Sequence, residues 1–437
     1  MGNGSRRIVI TGLGVISPLG CSADAVRNRL EQGLSGIGPM EMLPARHLPT
    51  KVAAEARDFR GEIADFGPLE KTLSRNIKKN LKVMCREIEM GVAAAQLALT
   101  DGGFVPEGHD PDRFGVVFGC DYLLTQPEEF LEGIRRCQDE AGKFDFGRWA
   151  DQGLPKVEPL WLLKYLPNMP ASHVAIFNDL RGPNNSLTLR EAGSNMAIGE
   201  AVTTLQRGWA DRMLAGATGT RLHLLRTLHV LLQEQVAPGD PDDPAASCRP
   251  FDRDRSGSVV GEGAGVLMLE TEATALARGA RIRGEIVGHA SSTVVDRRGA
   301  ADYRAAFRNV MRMALQSAGL GPNDIGHVNA HGLGTTRCDR DEAAAIRDVF
   351  GDRPIPVVAP KSYHGNLGAG SGIVEAIGSL LALEQGRLFR TLNYRTPDPE
   401  CPIAVVSTDG VDPGDSFISL NVTPQGQAAA IIVRRYA

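Results

Sequence analysis

Two stretches far apart in the chain share one pattern, a short apolar strand that runs directly into a glycine-rich turn. The first is RIVITGLGVISPLG, which begins at Arg7, and the second is GHVNAHGLGTT, which begins at Gly326. Helical spacing of small and apolar residues follows each stretch, so each predicts a β-turn-α unit. A unit that occurs twice indicates a chain of two similar halves, in which helices cover the sheets.

The length of the chain agrees with this duplication. At 437 residues it is too long for one ordinary domain. The strand pattern restarts at SVVGEGAGVLMLET, so we predict an N-terminal half over 1–257 and a C-terminal half over 258–437. Fifty glycines against 5% aromatic residues fit a layered α/β protein with many tight turns. No low-complexity linker separates the halves, and we expect them to share an interface.

Charge and cysteine content exclude several classes of function. A formal charge of −4, without a long basic run, argues against a nucleic-acid partner. The sequence has neither the apolar stretch of a signal peptide nor a membrane-length segment, so we expect a cytoplasmic protein without a membrane span. Seven cysteines without a CxxC pair predict neither a disulfide framework nor a metal site.

Five motifs follow one another along nearly the whole chain. They are ITGLGVISPLG near the start, LRGPNNSLT at 180–188, RPFDRDRSGSVVGEGAGVLMLE at 249–270, VNAHGLGTTRCDRDEAAAI at 328–346 and KSYHGNLGAGSGIVEAIGSLLAL at 361–383. In order and spacing they resemble the elongating type II β-ketoacyl-acyl carrier protein synthases. The resemblance implies an α/β, thiolase-like fold of five alternating layers, αβαβα, built from two similar halves and working as a dimer.

The resemblance also implies a site chemistry. In that family a cysteine at a helix N-terminus is acylated from a pantetheine thioester, because the helix dipole lowers the pKa of the thiol. Two histidines assist decarboxylation of malonyl carrier protein, and backbone N–H groups help to hold the oxyanion. Counted from the Arg-Gly-Pro at 181–183, the cysteine position falls on Glu191. A carboxylate forms no stable thioester, so we expect no condensation by this chain alone.

The remaining positions of the family's site are partly kept. The resemblance places the first catalytic histidine at His331 and keeps Lys361 and the downstream Glu375. The second histidine position carries Asn366, and His364 lies two residues early. The resemblance therefore implies a degenerate catalytic site made of Glu191, His331, Asn366 and Lys361.

Substrate binding is also altered on this reading. Of two threonines that would contact pantetheine, one has become Leu333 and the other survives as Thr335. The family's Gly-Phe-Gly-Gly loop is replaced by NVTPQGQ at 421–427, where Pro424 removes a backbone donor. We expect no cofactor in the chain itself, since 4'-phosphopantetheine would be carried by a partner acyl carrier protein.

Several side chains near this site have two interpretations each. Glu191 is either a general acid or base near His331, with a pKa raised by burial, or a residue that only caps its helix. Arg190 is a salt-bridge partner or an anion site. Cys120 and Cys338 lie in or beside glycine-rich turns, and we expect small buried residues there rather than replacement nucleophiles.

Three hypotheses for function follow. The kept scaffold and the lost cysteine resemble the chain-length factors of type II polyketide and aryl polyene systems. Our leading hypothesis is a non-condensing ketosynthase-like subunit of fatty acid or polyketide biosynthesis that shapes an acyl pocket, as a homodimer or as a heterodimer with an active ketosynthase. The second is a decarboxylase, hydrolase or proton-transfer enzyme that uses Glu191 and His331 on an acyl thioester. The third is a structural or regulatory homodimer. An open apolar tunnel favours the first two, and a filled one favours the third.

Overall fold

The computed structural model describes residues 6–106 and 108–436. The strands in this part of the chain are β1 Ile8–Ile16, β2 Gly38–Pro39, β3 Val52–Ala53, β4 Phe114–Cys120, β5 Asn184–Thr188, β6 Arg212–Thr220, β7 Glu262–Thr271, β8 Gly284–Thr293, β9 His327–Asn329, β10 Pro356–Val358, β11 Ala404–Val405, β12 Ser416–Val422 and β13 Gln427–Arg434. The helices are α1 Ala23–Gln32, α2 Lys71–Asn80, α3 Arg86–Asp101, α4 Glu128–Arg136, α5 Met169–Asn178, α6 Gly193–Gln206, α7 Leu224–Gln233, α8 Glu272–Ala277, α9 Tyr303–Ala318, α10 Thr336–Phe350, α11 Lys361–His364 and α12 Ser371–Gln385.

The strands repeat one pairing scheme in the two halves of the chain. On one side the order is β1-β7-β6-β4-β5, and on the other it is β8-β13-β12-β9-β10-β11. In each series the first two pairings are antiparallel and the next two are parallel. A short antiparallel contact between β1 and β8, which includes Ile8 opposite Ile286, joins the two series. The duplication expected from the two glycine-rich turns is therefore present in the sheet.

Helices lie on both faces of each strand series. α6 and α12 contact each other and strands of both series, so they form the central layer. α3 and α5 cover the outer face of the first series, and α9 covers the second with α10 packed against it. α12 is buried from Ser371 to Leu383, as expected for a helix that is apolar all round except at Glu375. The predicted five-layered αβαβα fold is confirmed.

The glycines of the first motif serve close packing. A Cβ atom built at Gly12 or Gly14 would collide with the backbone of α3 at Ala98 or Ala94. Only glycine lets this helix lie so close to β1.

The strand pairing bears on where the two halves meet. β7 lies beyond residue 257, yet it pairs with β1 on one side and β6 on the other. The pairing thus favours a division between β7 and β8, whereas the division at 257/258 stays a prediction from the sequence. In the part of the chain described, no helix has the length and apolarity to span a membrane.

Candidate functional site

The segment that carries Glu191 connects the edge strand β5 to the central helix α6. It is a single 3-10 turn, Arg190–Ala192, and Arg190 has a φ of 49°, in the left-handed region that a non-glycine residue rarely adopts. Glu191 is 1% exposed. The turn therefore holds an ionisable side chain deep in the protein at the N-terminal end of α6.

The structure brings the predicted site residues of the two halves together. Glu191 and His331 line one cavity, and Leu333 and Thr335 line it as well. Asn366 donates a hydrogen bond from Nδ2 to Glu191 Oε1 over 3.1 Å. Lys361 reaches the same region, because its Nζ lies 3.3 Å from His331 Nδ1.

The main partner of Glu191 is Arg221, which sequence reasoning missed. Arg221 is fully buried, and its Nη2 forms an ion pair with Glu191 Oε1. Arg190 Nε lies 3.6 Å from Glu191 Oε2. The carboxylate thus has a guanidinium group near each of its oxygens.

These contacts disagree with both interpretations of Glu191, as an acid or base with a raised pKa and as a helix cap. Burial acts to raise the pKa of Glu191, but Arg221, Arg190 and the hydrogen bond from Asn366 together lower it to about 2. The expectation of a raised pKa was therefore wrong, because the sequence does not show that Arg221 lies beside Glu191. Nor does the side chain cap α6, whose N-cap is Ala192 and has no side-chain hydrogen bond.

Glu191 belongs to a larger buried ion cluster. Arg190 forms an ion pair with Glu234, and Arg226 Nη1 lies 2.8 Å from Glu87 Oε2. Its members, four carboxylates and three guanidinium groups, are Glu87, Asp121, Glu191, Glu234, Arg190, Arg221 and Arg226. The salt-bridge interpretation of Arg190 agrees with these contacts. The signal that sequence reasoning passed over is the pair of arginines in TRLHLLRTLH, directly after a buried strand.

His331 is held in place by groups on either side of its loop. The carboxylate of Glu342 accepts hydrogen bonds from the backbone N–H of His331 at 2.7 Å and of Gly332 at 2.9 Å. Lys361 Nζ donates to His331 O at 2.7 Å. Burial, together with the positive charge of Lys361, lowers the pKa of His331 well below its usual range. The imidazole is therefore neutral near pH 7, with Nδ1 as the acceptor that faces the lysine.

The replaced loop closes the site on another side. Lys361 Nζ lies 2.6 Å from Glu375 Oε1, and Asn421 Nδ2 donates to Glu375 Oε2 over 3.0 Å. Beyond Asn421 the chain makes a tight turn, in which Gly426 N donates to Thr423 O over 2.9 Å. Tyr303 donates its hydroxyl to Pro424 O, 3.1 Å away. The NVTPQGQ segment is thus a hairpin turn between β12 and β13, tied to α9.

Asn366 is fixed by its other hydrogen bonds. Its Oδ1 accepts from Gly368 N at 3.0 Å and from Ser371 Oγ at 3.2 Å. The neighbouring His364 contacts the backbone oxygen of Gly365 at 3.0 Å, and burial lowers the pKa of His364 to about 3. The amide of Asn366 therefore presents its NH₂ group to Glu191 in one orientation.

The cavity at this site is small, and its lining is mixed, with both polar and apolar side chains. Its volume is about 140 Å³, below the range of about 300–1,000 Å³ that is common for ligand sites. The lining combines charged and polar groups, such as Glu191, Glu234 and His331, with apolar Leu333, Val422 and Pro424. The cavity is open, but it is too small for an extended acyl chain beside Glu191.

The two cysteines singled out by the sequence are buried, as expected. Cys338 lines the cavity and Cys120 lies at the end of β4. Burial raises the pKa of both thiols well above the usual range, so each is a protonated thiol near pH 7. Within the described residues, no group of three or more histidine, cysteine or carboxylate side chains is arranged to hold a metal ion.

The lowered pKa of Glu191 predicts how stability changes with pH. The charged form is favoured by folding, so its contribution is present above the ordinary pKa of 4.5 and is lost as the pH falls toward about 2. Between pH 7 and pH 3 we expect the unfolding free energy to lose about 2 kcal/mol more in the unchanged protein than in Glu191→Gln. Urea unfolding of both proteins across this range measures the difference, and parallel curves would contradict it.

Comparisons with known proteins agree with the geometry. The family description "Beta-ketoacyl synthase, N-terminal domain" matches residues 5–275, and "Beta-ketoacyl synthase, C-terminal domain" matches residues 283–395. The interval between these matches lies between β7 and β8, where the strand pairing favours a division. A 3-oxoacyl-[acyl-carrier-protein] synthase 2 of Synechocystis sp. is 33% identical over 412 residues, which cover 92% of this chain and 91% of that protein.

Two solved structures are similar over the whole fold. A β-ketoacyl synthase from Burkholderia phymatum is 28% identical, with a TM-score of 0.84, over 99% of this chain and 100% of the other. The ishigamide ketosynthase/chain length factor is 27% identical, with a TM-score of 0.82 and the same coverage. The cysteine content of one segment differs from what the family's catalytic motif requires. The chain has seven cysteines, but none between Cys137 and Cys248, the interval in which the motif spacing predicts the family's nucleophile.

Proposed function

The chain belongs to the β-ketoacyl synthase family, and we propose on that premise that it is a non-condensing subunit that pairs with an active synthase in fatty acid or polyketide biosynthesis. The observation that carries this proposal is the ion pair between Glu191 and the buried Arg221 at the position where the family has its cysteine. A carboxylate held in this way is neither a thiolate nor an available base. The likeness to a ketosynthase/chain length factor supports the assignment.

Two side chains that the family uses for condensation, the nucleophile and the second histidine, are replaced on this reading of the motifs. An acyl group transferred to Glu191 would form a mixed anhydride, which is far more reactive than a thioester. Asn366 stands where the second histidine would act, and an amide does not take up or release a proton near pH 7. The alternative of acid–base catalysis by Glu191 and His331 has less support, because a pKa of about 2 makes Glu191 a weak base.

The edge of the first strand series supports pairing with another chain. β5 is the last strand of its series, and among the described strands it pairs only with β4. Its sequence, NNSLT, carries neither lysine nor proline, the residues that commonly block edge-to-edge pairing. We therefore propose that a strand of the partner synthase adds to β5. An acyl carrier protein is the third component, as the carrier of the growing chain.

Co-purification tests this proposal. The chain is coexpressed with each intact synthase and carrier protein encoded near it, and native mass spectrometry gives the composition of any complex. We expect a one-to-one complex. A homodimer that binds none of the synthases would instead support the hypothesis of a structural or regulatory homodimer. A homodimer that consumes an acyl thioester on its own would support an enzyme that uses Glu191 and His331.

The edge position of β5 leads to a more specific prediction, which concerns where the synthase binds in the same complex. Lysines in place of two exposed residues, Asn184→Lys with Thr188→Lys, should weaken the complex by about tenfold or more, because charged residues on an edge strand oppose pairing. The matched control places lysines at two exposed positions near the far end of the fold, Gln316→Lys with Asn323→Lys. Equal dissociation constants for both double variants would place the interface elsewhere.

A further inference from the structure

Helix α7 is attached to the rest of the protein by few side chains. Of its ten residues only Arg226, Thr227 and Val230 are buried, and its three exposed leucines include Leu232, which is 83% exposed. Thr227 Oγ1 donates to the backbone oxygen of Arg221, just before the helix, over 2.5 Å. A helix with so little buried surface is prone to local opening. Its attachment to distant segments of the chain therefore depends largely on Arg226.

Arg226 connects α7 to α3 and to the end of β4. Its Nη1 lies 2.8 Å from Glu87 Oε2 on α3 and donates to the backbone oxygen of Thr220 over 2.5 Å. Its Nη2 donates to the backbone oxygen of Tyr122. Asp121 Oδ2 lies 3.9 Å from the same Nη1. Two buried carboxylates therefore face one guanidinium nitrogen.

The ion cluster holds more carboxylates than cations. It has four carboxylates and three guanidinium groups, so one negative charge has no counterpart. Asp121 attracts Arg221 as well as Arg226, whereas Glu87 is paired with Arg226 alone. Burial, together with the charge of Asp121, raises the pKa of Glu87 to about 7, although Arg226 acts in the opposite direction. Glu87 is therefore the member of the cluster that carries a proton.

The other titratable groups beside Glu87 are uncharged near pH 7. Burial raises the pKa of the Cys85 thiol to about 12 and that of the Cys120 thiol well above its usual range. His223 precedes α7, and burial together with Arg226 lowers its pKa. The charge on Glu87 is therefore set by the ion cluster and by access of water.

The elements packed against α3 present paired or uncharged groups. β1 carries no charged residue, and from β6 the hydroxyl of Thr218 donates to the backbone oxygen of Glu87 over 2.6 Å. The titratable groups on the remaining elements are His173 of α5, whose pKa burial lowers to about 4; Glu262 and Glu270 of β7, each paired with arginine; and Asp65, which accepts two backbone hydrogen bonds.

We propose that a proton on Glu87 holds α7 against the protein body, and that loss of this proton as the pH rises releases α7 and widens the cavity at Glu191. An ionised Glu87 is a buried charge without its own cation, which is unfavourable until water reaches it. Movement of α7 admits that water. Gln233 ends α7, Glu234 follows it, and both line the cavity, so release of the helix moves one wall. This inference goes beyond the proposed function, because it concerns the chain alone.

The direction of the pH dependence follows from linkage. Glu87 has a pKa of about 7 while α7 is attached and the ordinary value of 4.5 once water reaches it. Release of α7 therefore releases a proton between these two values. The released population should rise about tenfold per pH unit from pH 4.5 to about pH 7, and it should level off above pH 7, where Glu87 is ionised in both states.

Hydrogen exchange of the full chain, followed by mass spectrometry and corrected for the intrinsic exchange rate, tests the release. We expect the protection of α7 to fall about tenfold per pH unit between pH 5 and pH 7 and to stay constant above it. Glu87→Gln is uncharged at every pH and should flatten this dependence. The matched control is Glu89→Gln, because burial raises the pKa of Glu89 to about 7 on the same helix, outside the ion cluster. An unchanged slope in Glu87→Gln would overturn the inference.

Two further readouts keep the inference testable. In the unchanged protein, α7 should be less protected than the buried helix α12 at every pH, and equal protection would overturn local release because both helices would then exchange only by global unfolding. Cys338 lines the cavity and is 4% exposed. At pH 7 its alkylation should be at least about tenfold slower in Glu87→Gln than in the unchanged chain. Cys401, which is buried elsewhere, is the internal reference. Equal rates at Cys338 would overturn the widening of the cavity.

Discussion

Replacement of Glu191 by alanine should lower the free energy of unfolding by about 3–5 kcal/mol, because the fully buried Arg221 would lose the carboxylate that pairs with its Nη2 and would keep only the charges of Asp121 and Glu234. Arg221 is fully buried, and within the described residues its Nε and Nη1 atoms already lack hydrogen-bond partners. Glu191 supplies the counter-charge at its Nη2. Urea unfolding at pH 7, followed by circular dichroism, measures the loss.

Two further variants distinguish the stability lost by breaking the ion pair from the stability lost by shortening a side chain. Glu132→Ala removes a carboxylate from an exposed pair on α4, and it should cost no more than about 0.5 kcal/mol. Glu191→Gln combined with Arg221→Met removes both charges, and it should recover most of the loss because no lone charge stays buried. A cost below about 1 kcal/mol for Glu191→Ala would show that water reaches Arg221 and that the site is not filled.

A cysteine restored at the nucleophile position should not restore condensation. In Glu191→Cys the thiol would lie beside Asn366, whose amide neither takes up nor releases a proton near pH 7. The hairpin at Pro424 would still lie where the motif spacing predicts the family's oxyanion loop. General acid–base groups contribute about 10²–10⁴-fold each to such reactions, so we expect a rate below detection. The measurement is ketoacyl product from malonyl and acyl carrier protein with the purified variant alone.

The double variant Glu191→Cys with Asn366→His is the informative companion. If the missing histidine is the larger loss, this protein should form more product than either single variant, although Arg221 would remain without its carboxylate. Ketoacyl product from Glu191→Cys alone would show that Asn366 and the altered loop matter less than we infer.

The sequence predicted the fold because its strongest signals are local. Helix α1, which the spacing after the first glycine-rich turn predicts, runs over Ala23–Gln32, since its spacing, its Ser22 cap and its final Gly33 all lie within a dozen residues. Helix α10 begins at Thr336, directly after the second glycine-rich turn, and its N-cap residue Thr335 makes no side-chain hydrogen bond. Strand β7 follows residue 257 but pairs within the first series, and pairing across that distance is not visible in a linear pattern.

The sequence predicted residues that the structure brings close together, but it did not predict the charges around them, and their role as a site stays a prediction. Motif spacing placed Glu191, His331 and Asn366, and the structure brings them together. The pKa of Glu191 goes in the opposite direction to the expectation, because its main cation, Arg221, lies on a separate segment that only the tertiary fold brings to it. Arg221 is 30 residues away along the chain. Burial alone predicts a raised carboxyl pKa, and only the position of a counter-charge reverses it.

The most direct test of a non-condensing subunit is a condensation assay on three samples: the chain alone, the chain with its partner synthase, and the chain with that synthase after its nucleophilic cysteine has been replaced by alanine. Each sample receives malonyl and acyl carrier protein, and ketoacyl product is quantified by mass spectrometry. We predict product only in the second sample. Product from the chain alone would contradict the account, because it would require a nucleophile that Glu191, ion-paired to Arg221, does not provide.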